Sequence, residues 1–110
     1  MDLTDEIYDL TRRLPKEEKY GLADQMRRAA VSIPSNIAEG HGRQTDRDFK
    51  RFLLISMGSV AELETQIFIC VRQKYVTKEQ VNTALRLCDE VGKMLTAFIN
   101  HLNSSSANNS

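Results

Sequence analysis

Few residues in this chain are placed for chemistry. The two histidines, His41 and His101, stand 60 positions apart. A di-iron site in a helical bundle needs Glu-x-x-His pairs, which put both ligands on one face. Three residues before His41 is Ala38, and three before His101 is Phe98. Glu62 and Glu64 are two apart, so on a helix they point about 200° from one another. Cys70 and Cys88 fall at apolar helical positions without a CxxC pair, which reads as two buried free thiols. No GxSxG occurs, and Gly40-His41-Gly42-Arg43 lacks the strand-loop-helix setting and the Lys-Ser/Thr of a phosphate loop. No catalytic residue, metal or cofactor is assigned, and an enzyme is not expected.

What remains is basic. Arg43, Arg47, Lys50 and Arg51 fall at i, i+4, i+7 and i+8, one face at the start of a helix. Such a stripe can track phosphates, and Arg27 could extend it. The competing reading is a solvated face that pairs with itself, since Asp46 and Asp48 sit at pairing distance from Lys50 and Arg51. No aromatic ladder runs among these residues in sequence, so base stacking on single strands is not expected.

A second polar set lies in the stretch GLADQMRRAAVSIPSNIAEGHGR, Gly21 to Arg43. Leu22, Met26, Ala30, Ile33 and Ile37 recur at the helical period, and between them stand Arg27, Arg28, Ser32, Ser35, Asn36 and Glu39. Arg28, Asn36 and Glu39, with Glu62 and Glu64 on the next helix, suggest a structural polar network that fixes helix register. Removing one member of a truly buried pair would cost roughly 3–5 kcal/mol. Pro34 removes a backbone donor and should bend this rod, leaving a carbonyl for Ser32, Ser35 or Asn36.

Every segment around these residues reads as a helix. Leu3, Ile7, Leu10 and Leu14 form the seam of a short first helix. Pro15 suits the opening of a second helix ending near Gly40, with Gly21 as a weak point. Either glycine of Gly40-His41-Gly42 can take the left-handed conformation that closes a helix. Thr45, with Asp48 three residues on, caps a third helix from Asp46 to about Lys74. Its core face comprises Phe49, Phe52, Leu53, Val60, Leu63, Ile67, Cys70 and Val71. Leu54, Ile55, Met57 and Phe68 widen its apolar stripe beyond what one partner groove needs. Thr77 and Gln80 form a capping box for a fourth helix, whose seam runs through Val81, Ala84, Cys88, Val91, Leu95, Phe98 and Leu102. Short connections force consecutive helices to alternate in direction. The expected fold is therefore all-α, an antiparallel up-down-up-down four-helix bundle with a proline-bent second helix. Residues 1–102 make one domain, and 103–110, NSSSANNS, a disordered polar tail.

Composition agrees with this. The chain has 110 residues, 41% of them hydrophobic and 27% charged, with 15 basic against 15 acidic side chains. A zero formal charge lowers the expectation of strong nonspecific nucleic-acid binding, while leaving room for a local patch. The acidic MDLTDEIYDL start is no signal peptide, and no wholly apolar run approaches the ~20 residues of a membrane span. A cytoplasmic protein without a membrane partner is expected.

The Gly21–Arg43 stretch, followed by Phe49, Phe52, Leu53 and GSVAELE (Gly58 to Glu64), resembles a family of small four-helix bundle proteins. That family includes the S23 proteins encoded by intervening sequences in bacterial 23S ribosomal RNA genes. It is related to the accessory variability determinants of diversity-generating retroelements. The likeness runs from about Ile7 to Leu102 and departs from the family at a shortened first helix. It implies a four-helix bundle, a homo-oligomer of the ring-like pentamer kind, and a protein partner such as a reverse transcriptase with its RNA. Two functions follow for testing. The first is a non-enzymatic oligomeric scaffold or adaptor that presents a surface to a protein or ribonucleoprotein partner. The second is an RNA-binding protein using Arg27, Arg43, Arg47, Lys50 and Arg51.

Overall fold

The computed structural model describes residues 2–108, with side chains described through residue 104. Its elements are α1 (Asp2–Thr11), a 3-10 turn (Lys16–Glu18), α2 (Leu22–His41), α3 (Asp46–Arg72) and α4 (Lys78–Asn108). Among the described residues there is no strand. α2 packs on α3, α3 on α4, and α1 on both α2 and α4, giving a bundle of 52 × 23 × 19 Å.

The apolar periodicity explains the packing. Leu3, Ile7, Leu10, Met26, Ala30, Ile33, Leu53, Val60, Leu63, Ile67, Val81, Ala84, Cys88 and Leu95 share one buried core. Side-chain contacts give the relative order of the helices. Met26 meets Cys70, Ser32 meets Ser59, and Gly40 lies against Phe52, so rising positions on α2 meet falling positions on α3. Thr11 with Arg27 and Thr4 with Ala30 relate α1 to α2 in the same way.

Helix ends follow local chemistry, with corrections. Thr77 and Gln80 complete the reciprocal capping box, at 2.9 and 3.2 Å. Thr45 accepts from the Asp48 backbone N–H at 3.2 Å, which is half of such a box. The second helix opens at Leu22, not at Pro15. Gly21 sits at φ −111°, ψ −109°, outside helical geometry, and only the short 3-10 turn precedes it. A β-carbon at Gly21 would stand 3.0 Å from a Glu18 carboxylate oxygen. Gly40 and Gly42 do not adopt left-handed conformations; among the described residues the positive φ belongs to Lys74, at 63°. Lys74 closes α3 in a Schellman arrangement, the Tyr75 N–H donating to the Cys70 carbonyl and the Lys74 N–H to the Val71 carbonyl, both at 3.0 Å. A β-carbon is strained there, so Lys74→Gly is expected to stabilise the fold by about 1 kcal/mol, measured by urea unfolding.

Pro34 leaves the Ala30 carbonyl without its helical donor. That carbonyl accepts instead from the Thr4 hydroxyl of α1, at 3.4 Å, rather than from Ser32, Ser35 or Asn36. α4 is helical through Asn108, and Asn109 and Ser110 lie outside the described residues.

α3 holds an 18-residue window of mean hydropathy 1.4 and is, by length and composition, apolar enough to cross a bilayer, although no unbroken apolar run predicted it. Only 33% of that window is buried. Its inner side packs on the core through Leu53, Val60, Leu63, Ile67 and Cys70, while Leu54, Ile55, Phe68 and Ile69 stay exposed.

Candidate interface at the corner of the second and third helices

The basic residues divide into two places. Arg27 belongs to the α1–α2 contact: its Nε donates to the Thr11 hydroxyl at 2.9 Å and its guanidinium lies 5.4 Å from the Tyr8 ring centroid. That is about 24 Å along α2 from Arg43, at 1.5 Å per residue. Arg27 is therefore not part of a common stripe.

Arg43, Arg47, Lys50 and Arg51 do gather where α2 turns into α3. Arg43 pairs with Glu39 at 2.6 Å, and its guanidinium also lies 4.9 Å from the Phe52 ring centroid. Arg51 lies 5.0 Å from the same centroid, so one ring holds two cations. The pairing that spacing offers to Asp46 and Asp48 is not made. Among the described residues, Arg47, Lys50 and Arg51 have no carboxylate within 4.0 Å. Both aspartates occupy the first turn of α3, where they complement the helix dipole.

Tertiary structure adds aromatic groups that sequence reading did not connect with this patch. The His41 ring meets Phe49 edge-on at 4.6 Å and Phe98 at 6.5 Å, and Phe49 stacks near Phe98 at 6.3 Å. Phe98 leaves the core seam assigned to it and is 40% exposed, while Ile99 is buried in its place. A straight α4 carries position 99, rather than 98, in phase with Cys88 and Leu95. Gly40 brings the two sets together. A β-carbon there would stand 3.1 Å from the Phe52 Cβ, 3.4 Å from the Phe49 carbonyl oxygen and 3.5 Å from the Phe49 ring.

The buried Arg–Glu network does not form. Arg28 pairs along its own helix with Asp24 at 3.0 Å, its side chain 80% exposed, and Glu39 pairs with Arg43. Glu62 accepts from the Gln66 amide at 3.2 Å, and Glu64 lies beside Cys88 on a groove between α3 and α4. Partners one turn away on the same helix are nearer than partners across the interface. Arg28→Ala and Glu39→Ala should each change stability by less than about 0.5 kcal/mol in thermal melts.

Register between α2 and α3 is fixed by smaller groups. The hydroxyls of Ser32 and Ser59 lie 3.0 Å apart, and the Asn36 amide donates to the Ser32 hydroxyl and carbonyl at 2.9 and 2.8 Å. The buried Ser56 hydroxyl donates to the Ile33 carbonyl at 2.9 Å. Asn36 therefore does serve a polar seam, but with serines as its company. The Gln66 Oε1 is buried with no partner among the described residues.

Both cysteines are free and buried. Burial pushes the Cys70 thiol up to about 11, with Glu18 adding to it, and the Cys88 thiol up to about 12, with Glu64 adding. Unfolded thiols ionise near 9.0, while the core holds them neutral. This contribution to stability is whole below pH 9 and is lost as pH rises towards 11–12. Urea unfolding from pH 8 to 11 should show the decline, and a Cys70→Ala/Cys88→Ala variant should flatten it. Among the described residues no group of three or more His, Cys, Asp or Glu side chains is placed to hold a metal ion.

A solved structure of a protein of unknown function from the S23 ribosomal protein family of Bacteroides thetaiotaomicron superposes with a TM-score of 0.82 at 26% identity. The match covers 89% of this chain and 92% of that one. No curated protein matches the sequence. The family model described as 23S rRNA-intervening sequence protein matches residues 1–97. With nearly its whole length matched and the same bundle in a solved relative, the chain belongs to the family of 23S rRNA-intervening sequence proteins.

Proposed function

We propose that this protein is a non-enzymatic helical scaffold that assembles with copies of itself and offers its surface to a protein or ribonucleoprotein partner. The observation that carries this reading is the outer side of α3, where Leu54 is 50%, Ile55 45% and Phe68 59% exposed. Apolar side chains concentrated on one helix, away from its core face, favour burial against another surface. The likeness to retroelement bundles suggests a ring of five copies and a reverse transcriptase as one kind of partner. Light scattering at micromolar concentration tests assembly: a particle several times the 12.5 kDa chain is expected, and a 12.5 kDa particle rejects it. Ile55→Glu and Phe68→Glu should reduce the mass while leaving the helical signal intact.

The second reading, RNA binding through the α2–α3 corner, is favoured by a separate observation. Arg47, Lys50 and Arg51 have no carboxylate partner within 4.0 Å among the described residues, so their charges are available to phosphates. A gel-shift assay with structured RNA at low salt tests it. Absence of any shift rejects RNA binding.

A further inference from the structure

We infer that the α2–α3 corner takes single-stranded RNA, with arginines on the phosphates and an unstacked base on the exposed face of Phe98. This rests on the second reading above and extends it from a basic stripe to a composite site. Two observations carry it. Arg43 and Arg51 are both held against Phe52, so their guanidinium groups lie within about 10 Å of one another, with Arg47 between them in sequence. Gly40 lies against both Phe52 and Phe49, and Phe49 in turn packs with His41 and Phe98, so a strand of several nucleotides would run from the cations to the rings.

The chemistry fits a single strand better than a duplex. Proteins that hold single strands combine cations that follow the backbone with rings on which bases stack. A duplex keeps its bases stacked internally and offers a protein ring no free base face. Phe98 is 40% exposed and borders a recess of ≈ 290 Å³ lined by Met94, Ala97 and His101, an apolar floor with an imidazole beside it. An acidic peptide would engage the arginines but would leave Phe98 and this recess without a planar partner. Glu39, Asp46 and Asp48 also lie at this end, Glu39 beside Arg43 and the aspartates in the first turn of α3. They limit the net charge, so stacking has to supply part of the affinity.

Fluorescence anisotropy with labelled 12-nucleotide oligouridylate, read from low to moderate salt, tests the site. Arg47→Gln/Arg51→Gln should weaken binding and reduce the slope of log K against log salt by about 1.4, two contacts at about 0.7 each. Phe98→Leu should weaken binding about tenfold and leave that slope unchanged, because stacking releases no counterions. Arg28→Gln, remote from the corner, should bind like wild type. Circular dichroism melts establish that each variant remains folded. Wild-type affinity in Phe98→Leu overturns the composite site, as does equal affinity for duplex RNA or for polyglutamate. In the duplex case the basic-stripe reading survives, whereas absence of RNA binding at low salt overturns both.

Discussion

Leu63→Ala is expected to lower the free energy of unfolding by about 3–4 kcal/mol. Leu63 is fully buried in the middle of α3, with Val60 and Ile67 one turn to either side in the same core. Alanine there removes the apolar transfer contribution of three carbons and leaves a cavity that rods packed at both ends cannot close. For a chain whose total stability is of order 5–15 kcal/mol, this is a large fraction. The thermal midpoint should fall by roughly 15 °C. Urea unfolding gives the free energy, and calorimetry the midpoint. A change below about 1 kcal/mol would mean that the α2–α3–α4 core is not packed around this residue.

Gly40→Val is expected to cost about 3 kcal/mol and to disturb the candidate site together with the fold. A β-carbon at Gly40 already stands 3.1 Å from the Phe52 Cβ and 3.4 Å from the Phe49 carbonyl oxygen, and valine adds two γ-carbons to that gap. The obstacle includes backbone, so α2 and α3 must separate at this end. Separation would move Phe52, on which Arg43 and Arg51 lie, and Phe49, against which His41 packs. Gly40→Ala is the instructive companion. It adds the 3.1 Å contact but gains about 1 kcal/mol of helix propensity, so its net change should be small. Urea melts of the two variants check this contrast. Equal stability in both would show that the helices have room here.

How much of this was legible beforehand differs residue by residue. The seams of Leu3, Ile7 and Leu10, and of Met26, Ala30 and Ile33, follow from the helical period, because burial selects side chains every three or four positions. The capping threonines, Thr45 and Thr77, were legible because a cap bonds within four residues. The Arg28 and Glu39 network failed for a related reason. Each charge already has an opposite charge at i±4, and an exposed local pair needs no desolvation. The Ser32–Ser59 contact joins positions 27 apart, and nothing in either local sequence marks the two serines as partners.

The candidate site shows the same division. Arg43, Arg47, Lys50 and Arg51 were found from their spacing, since one helix face is a local property. Their freedom from Asp46 and Asp48, and the ring of Phe52 that Arg43 and Arg51 share, are seen only in the folded chain. By sequence Phe98 belongs to the core seam, being apolar and near the right phase, whereas packing leaves it 40% exposed.

Four helices, most of their ends, an apolar core face on each and a basic stretch after Gly42 are all readable from local residues. Those properties arise from interactions within a few residues, where periodicity and capping act. Helix packing is what takes Phe98 out of the core to join His41 and Phe49, and what brings Thr4 to the carbonyl freed by Pro34. Such pairings join residues far apart along the chain, and they exist only once packed helices fix the distances between them.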